Sequence, residues 1–381
     1  MAVAASFKTV ELGLLDKLRQ LHWPFVAVVV MVALIGYGML YSAGGGSHGP
    51  WAWRHGLRFG VGFGAMLVIA LIDFRLWFRL AFLIYAAALA GLIGVEIAGS
   101  INMGAQRWIS VGVFQLQPSE VMKIALVLAL ARYFHGVFVE DIGQPARLIV
   151  PILLVIVPAM LVLRQPDLGT SIMLLAGGAA IFFCAGVRLW KFAVVAGAVA
   201  AALPVFWHQL HDYQKRRVLT FLEPERDPLG SGYHIIQSKI ALGSGGVWGK
   251  GFLGGTQSQL SFLPEKQTDF VFTMLGEEAG LAGGLLLLLL FLILIGYGFI
   301  FALRARSQFG RLLAVGVAAT LFLYVFINVA MVTGLIPVVG VPLPMISYGG
   351  TAMMTILAGF GFMLSVDIHR DVAIPRFLAD D

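Results

Sequence analysis

Ten apolar runs organise this sequence: 24–42, 56–72, 77–98, 118–134, 148–164, 168–187, 190–208, 270–302, 311–335 and 348–367. A helix needs about 20 apolar residues to cross a hydrocarbon core about 30 Å thick, and each run approaches that length. The run at 270–302 is long enough to tilt or to project beyond the bilayer. The first run is too long for a signal-peptide core and has no clear cleavage site, so it is read as a retained span. Most connections are short, but residues 209–269 pass without a span, and a loop that long usually has a function. The pattern predicts an all-α polytopic membrane protein, 1–381 as a single integral membrane domain. It has about ten transmembrane helices and one large external loop, 209–269.

Composition agrees. The chain is 59% hydrophobic and 12% charged, with mean hydropathy +0.90, whereas soluble domains carry roughly 25% charged residues. The single cysteine, Cys184, excludes an internal disulfide. The net charge of +6 is read as an orientation signal, not as a nucleic-acid footprint. Lys8, Lys17, Arg19, Arg75, Arg79, Arg132, Arg147, Arg188, Lys191, Arg304, Arg306, Arg311, Arg370 and Arg376 fall on one side of the ten spans. The short loops of the other side hold only Arg54, Arg58, Arg107 and Arg164. Basic residues in short loops favour the cytoplasm, so both termini are placed there and 209–269 outside.

The few charges are concentrated. The stretch SFLPEKQTDFVFTMLGEEAG, 261–280, places Lys266, Asp269, Glu277 and Glu278 where the long loop enters an apolar helix. Either Thr268 or Asp269 caps that helix, as good N-cap residues do, or the acids have a task that offsets their cost at a membrane boundary. The loop before it contains Lys215, Arg216, Arg217, Arg226, Lys239 and Lys250. Gly243, Gly245, Gly246, Gly249, Gly251, Gly254 and Gly255 suggest tight turns and backbone lying close to something else. Residues 233–242 suit a short amphipathic helix on the membrane surface.

Within the spans, Glu120 and Lys123 stand three residues apart, on one helical face, where they can pair. Asp167 is expected to join them from a neighbouring helix or to pair with Arg164. Arg107, beside Trp108, either holds a phosphate or sugar or anchors at the interface. Pro337, Pro342, Pro344 and the run SYGGT, 347–351, break a helical pattern, which at membrane depth is tolerated mainly where backbone is buried in protein or lines a cavity.

Four stretches taken together resemble the SEDS family (shape, elongation, division and sporulation), its elongation branch more than its division branch. They are GAQRWISVGVFQLQPSEVMK (104–123), RQPDLGT (164–170), the segment from Pro224 through the TDF at 268–270, and Asn328 through SYGGTA. Several long motifs in order are far more specific than one short pattern. Gln267 departs from the family, in which many members have histidine before TDF; the departure weakens any role for a histidine there.

The resemblance implies a ten-span fold and a peptidoglycan glycosyltransferase that polymerises lipid II at the outer face of the cytoplasmic (inner) membrane. It implies a class B penicillin-binding protein as crosslinking partner. The family's essential external-loop aspartate falls on Asp269, and its glutamate–lysine pair on Glu120 and Lys123.

Glycan polymerisation needs a base for a sugar hydroxyl and positive charge for a departing lipid pyrophosphate. A carboxylate of ordinary pKa, about 4, is ionised at neutral pH and able to accept that proton, which suits Asp269. Lys266, Arg107, Arg216, Arg217, Lys239 and Lys250 are the candidate substrate-binding cations, or a divalent ion takes that place. No protein-held metal site is expected and no other cofactor is required. Two rival readings are a lipid II flippase, since intramembrane charges and broken helices also mark transporters, and a non-catalytic scaffold for cell-wall enzymes. The lack of an inverted repeat and the one-sided polar elaboration favour the enzyme.

Overall fold

A computed structural model describes residues 13–376, apart from 103, 104, 112, 113, 139, 210–214, 216–218, 222, 224–230, 261, 263 and 264. Lys8, Arg216, Arg217 and Arg226 therefore lie outside the described residues. The helices are α1 (Leu14–Gln20), α2 (Trp23–Ala43), α3 (Ala52–Leu71), α4 (Phe74–Ala98), α5 (Pro118–His135), α6 (Pro145–Arg164) and α7 (Leu168–Ala185). They continue as α8 (Leu189–Gln209), α9 (Ser231–Ser244), α10 (Thr256–Gln259), α11 (Val271–Arg304), α12 (Gln308–Val332) and α13 (Gly350–Ile368). Each of the ten apolar runs lands on one long helix, and the chain is an integral membrane protein. Among the described residues, eight of those helices are long and apolar enough on composition alone to span a bilayer. The other two are α5, which carries Glu120, Lys123 and Arg132, and α8.

The centre of the bundle is α5, α12 and α13, whose side chains are nearly all buried. Little hydrophobic force acts between helices in lipid, so close approach depends on small residues. Gly316 of α12 lies against Val127 of α5, and Gly361 of α13 against the backbone of Met66 in α3. Contacts between distant residues define two ends. At the basic end Lys17 Nζ donates to Leu71 O (2.9 Å), Arg306 N to Arg370 O (3.1 Å), and Arg304 lies 3.7 Å from Asp367. At the opposite end Ser42 reaches Glu278, and Tyr348 reaches Gln267.

That second end departs from a purely helical expectation. Ser100–Asn102, Ala105–Val111 and Phe114–Leu116 form a three-stranded antiparallel sheet, β1 to β3 in order, between α4 and α5. The segment 333–349 stays irregular, and the span expected to reach 335 stops at Val332, where Gly334 turns with φ +73°.

The largest difference concerns α9. It does not lie free on a membrane surface. Ile235, Ser238 and Ala241 are buried, with Ser238 Oγ bonded to Thr273 Oγ1 and to Val332 O, both at 2.7 Å. The loop after α9 continues down the side of α11 and there meets a break in that helix. Gly280 has φ +66° and ψ −166°, which interrupts the α11 hydrogen-bond ladder. The freed groups pair with the loop: Lys250 N donates to Glu277 O and Gly251 N to Glu278 O, both at 3.0 Å. In return Leu281 N donates to Gly246 O (2.9 Å) and Ala282 N to Val247 O (3.0 Å). Buried backbone groups need such partners. The approach is so close that a Cβ on Gly249 would collide with the Glu278 carbonyl. This is the neighbour that the glycine-rich sequence anticipates.

Candidate active site

The turn 265–270 delivers the chain into α11, with Thr268 N bonded to Glu265 O at 3.0 Å. The N-cap position of α11 falls on Phe270, so neither Thr268 nor Asp269 occupies it. Thr268 instead bonds Glu265 through its hydroxyl. Asp269 is half-buried, one residue before that N-cap.

One element bonds its backbone, and another borders its side chain. From α12, the fully buried Asn328 donates through Nδ2 to Asp269 O (3.0 Å) and to Val341 O (2.8 Å). From the irregular segment, Gly340 stands with φ +73°, and a Cβ there would lie 3.4 Å from Asp269 Oδ2. Tyr348 N donates to Gln267 O at 2.7 Å and ties the SYGGT run to the same turn. Arg58 of α3 lies over the Tyr348 ring, 4.6 Å from its centroid. The Asp269 backbone is thus bonded to α12, and its carboxylate lies beside a proline-rich segment of irregular structure.

The candidate cations divide by position. Lys239, exposed on α9, lays its side chain across Gly334, where a Cβ would come within 2.8 Å of Nζ. Gly334 and Gly340 belong to the same segment, so Lys239 and Asp269 border it at two points. Lys266 is half-buried beside the turn; burial pulls its pKa below the ordinary lysine value, and the Glu278 carboxylate partly restores it. Lys250 has another task. Its Nζ sits 2.8 Å from Glu277 Oε1, on a carboxylate with 0% exposure, and 2.8 Å from Thr256 Oγ1. Glu277 also accepts from Gln257 N (2.9 Å), and Glu278 from Ser42 Oγ (2.6 Å) and Leu253 N (3.3 Å). The two glutamates clamp the glycine loop; they are not loose interfacial anions.

Arg107 also binds protein. Its Nε donates to Gln165 O at 3.0 Å, Nη2 donates to Pro166 O, and Nη1 lies 3.9 Å from Asp167 Oδ2. Asp167 caps α7 through Thr170 N (3.1 Å) and accepts from Gln117 Nε2 (3.4 Å). Asp167 therefore pairs with Arg107, whereas Arg164 is exposed. Nor does Asp167 bond Glu120 or Lys123. That pair is made, at 2.7 Å and with both side chains almost fully buried, and its third member is Tyr324 of α12. Lys123 Nζ donates to Tyr324 OH at 2.7 Å, and Tyr324 OH donates to Glu120 Oε2. Among the described residues no group of three or more His, Cys, Asp or Glu is placed to hold a metal ion.

Comparison with known proteins places these residues in a family. The profile of the FtsW/RodA/SpoVE cell cycle proteins matches residues 16–372. The peptidoglycan glycosyltransferase MrdB of Escherichia coli (strain K12) is 44% identical over 92% of this chain and 95% of its own length. The stage V sporulation protein E of Bacillus subtilis (strain 168) is 37% identical over 90% of this chain and 95% of its own. Among solved structures, a chain of a peptidoglycan synthase complex that coordinates polymerisation and crosslinking superposes with TM-score 0.80 at 34% identity, covering 92% of this chain and 98% of that one. The rod shape determining protein RodA of Thermus thermophilus superposes with TM-score 0.70 at 28% identity, covering 93% and 98%. With ten long helices in the expected order, the chain belongs to the FtsW/RodA/SpoVE family of cell cycle proteins.

Proposed function

We propose that the Asp269 site polymerises lipid II into glycan strands during cell elongation, at the external face of the inner membrane, with both termini in the cytoplasm. The chain is a peptidoglycan glycosyltransferase, the activity named for its relatives at up to 44% identity. Its partner is a class B penicillin-binding transpeptidase, in keeping with the similar chain of the peptidoglycan synthase complex.

The observation that supports this reading most is the placement of Asp269. It is a half-buried carboxylate whose main chain is bonded to α12 and whose side chain abuts the irregular segment. In the reaction, Asp269 accepts the proton of the acceptor sugar hydroxyl. As that oxygen bonds to the anomeric carbon of the donor, the bond from that carbon to the lipid pyrophosphate breaks. The pyrophosphate departs with both electrons and needs positive charge more than a proton. Lys239 and Lys266 would supply that charge; a divalent ion travelling with the pyrophosphate would serve the same end. A single carboxylate suffices here, unlike the pair used in glycoside hydrolysis.

The test is glycan-strand formation from lipid II by purified protein with its transpeptidase partner. Asp269→Ala and Asp269→Asn are expected to fold, bind the partner and form no strands. Wild-type polymerisation by either variant would overturn the assignment. Strand formation in detergent also separates an enzyme from a flippase, because no compartments exist there.

A further inference from the structure

The loop clamped to α11 sits at a depth that three helices measure independently. Ala282, whose N–H bonds Val247 O, stands 22 residues from Arg304 at the basic end of α11. At 1.5 Å per residue that is about 33 Å. Ser42, bonded to Glu278, lies 19 residues from the start of α2 at Trp23, about 29 Å. Ser238 is bonded at Val332, 24 residues from the start of α12, about 36 Å. A hydrocarbon core is about 30 Å thick. Helix α9 and the loop after it therefore enter at the outer edge of the bundle, turn back near the acyl boundary and leave again through α10.

The apex of that turn is apolar and uncovered. Trp248 is 82% exposed, Phe252 58% and Val247 55%. This surface continues the outer face of α11, where Leu281, Leu285 and Leu292 are exposed to lipid; the backbone pairing sets Val247 beside Leu281 and Ala282. The apex is not a slack loop, since Glu277 and Glu278 hold it from below and the Phe252 ring is parallel to that of Tyr41 in α2. A large apolar patch in water would be an anomaly that calls for a partner. At this depth, and continuous with a lipid-facing helix, its occupant is the boundary between acyl chains and headgroups, where tryptophan is enriched.

We propose that 231–260 is a re-entrant hairpin whose tip, Val247, Trp248 and Phe252, is seated in the outer leaflet. The tip would fix the height of the external segment, and with it Asp269, relative to the membrane surface. The inference rests on packing and depth and is independent of the role given to Asp269.

The test uses the full chain in lipid nanodiscs, with Cys184→Ser removing the native thiol. A nitroxide on Trp248→Cys is compared with nitroxides on Leu292→Cys, which faces lipid, and Ser47→Cys, in an exposed turn. Collision with oxygen is expected to be high and with a water-soluble nickel chelate low, as at Leu292. Nickel access matching Ser47 would overturn the proposal, and so would exclusion of both probes, which would mean a protein cover. As a label-free check, quenching of tryptophan fluorescence by brominated lipid is measured as well. Replacing Trp248 with Phe is expected to remove part of the lipid quenching; unchanged quenching would count against the hairpin's insertion.

Discussion

Asn328 reaches from the middle of the bundle to hold the backbone oxygen of Asp269 at 3.0 Å while the same nitrogen holds Val341 O at 2.8 Å. One amide thereby spans the two segments that border the candidate active site. Asn328→Leu keeps the volume but leaves both carbonyls without a donor, at roughly 1–3 kcal/mol for a buried polar group. The variant is expected to unfold at lower temperature and to lose turnover by more than it loses lipid II affinity. Single-turnover polymerisation alongside a lipid II binding isotherm separates the two effects. Equal losses in both would mean that Asn328 serves general stability alone.

Lys123 is enclosed with Glu120 and Tyr324, all three buried. Breaking a buried ion pair by removing one partner costs about 3–5 kcal/mol, because the remaining charge is uncompensated. Glu120→Ala and Lys123→Ala are expected to fall sharply in thermal stability and activity. Glu120→Leu combined with Lys123→Met is expected to regain most of the stability, since an apolar replacement of a buried pair is often neutral. Recovery of stability without recovery of strand formation would assign the pair a part in function beyond packing.

Much of this arrangement was legible in the sequence, and the limits of that reading have physical causes. The ten spans are readable because bilayer thickness sets the length of an apolar run wherever it occurs. The Glu120–Lys123 pair is readable because helical periodicity brings positions three apart together. Tyr324 and Asn328 are not readable in that way. Each meets its partner through tertiary packing, 204 residues away for Tyr324 and Glu120 and 59 for Asn328 and Asp269. The glycines at 243–255 announce a close approach, but only the fold reveals the partner, the interrupted turn at Gly280. Asp167 was the misleading position: Arg164 is nearer in sequence, yet β2 carries Arg107 to it.

Gly280 is expected to tolerate no side chain. Its φ of +66° and ψ of −166° lie in a region open essentially to glycine, and a Cβ would strike the backbone of Val247 and Gly249. Gly280→Ala must restore a continuous helix, displace the loop or both. Either outcome strands the backbone groups that the loop and helix now satisfy in each other. The expected result is loss of most folded protein in size-exclusion profiles, whereas the same change at an unstrained site stabilises a protein by about 0.4–1 kcal/mol. Gly296, where a Cβ would meet nothing within 4 Å, is the control, and Gly296→Ala is expected to be neutral or mildly stabilising.

Lys266 is expected to give the site an alkaline limit. Burial lowers its pKa, and the nearby Glu278 only partly offsets this. Its ammonium is therefore lost at a lower pH than that of an ordinary lysine, 10.5. Between the depressed folded value and the unfolded one, the unfolded chain binds more protons, so stability rises with pH across that window. Activity is expected to do the opposite if Lys266 meets the pyrophosphate: it falls as pH passes through the folded value. Lys266→Arg keeps a cation that does not deprotonate in this range and is expected to carry the plateau to higher pH. Lys266→Gln is expected to lower turnover at every pH and to abolish the alkaline fall. Rates measured on one lipid II preparation across neutral to alkaline buffers decide the matter, and a profile unchanged by the arginine variant would exclude Lys266 from charge stabilisation.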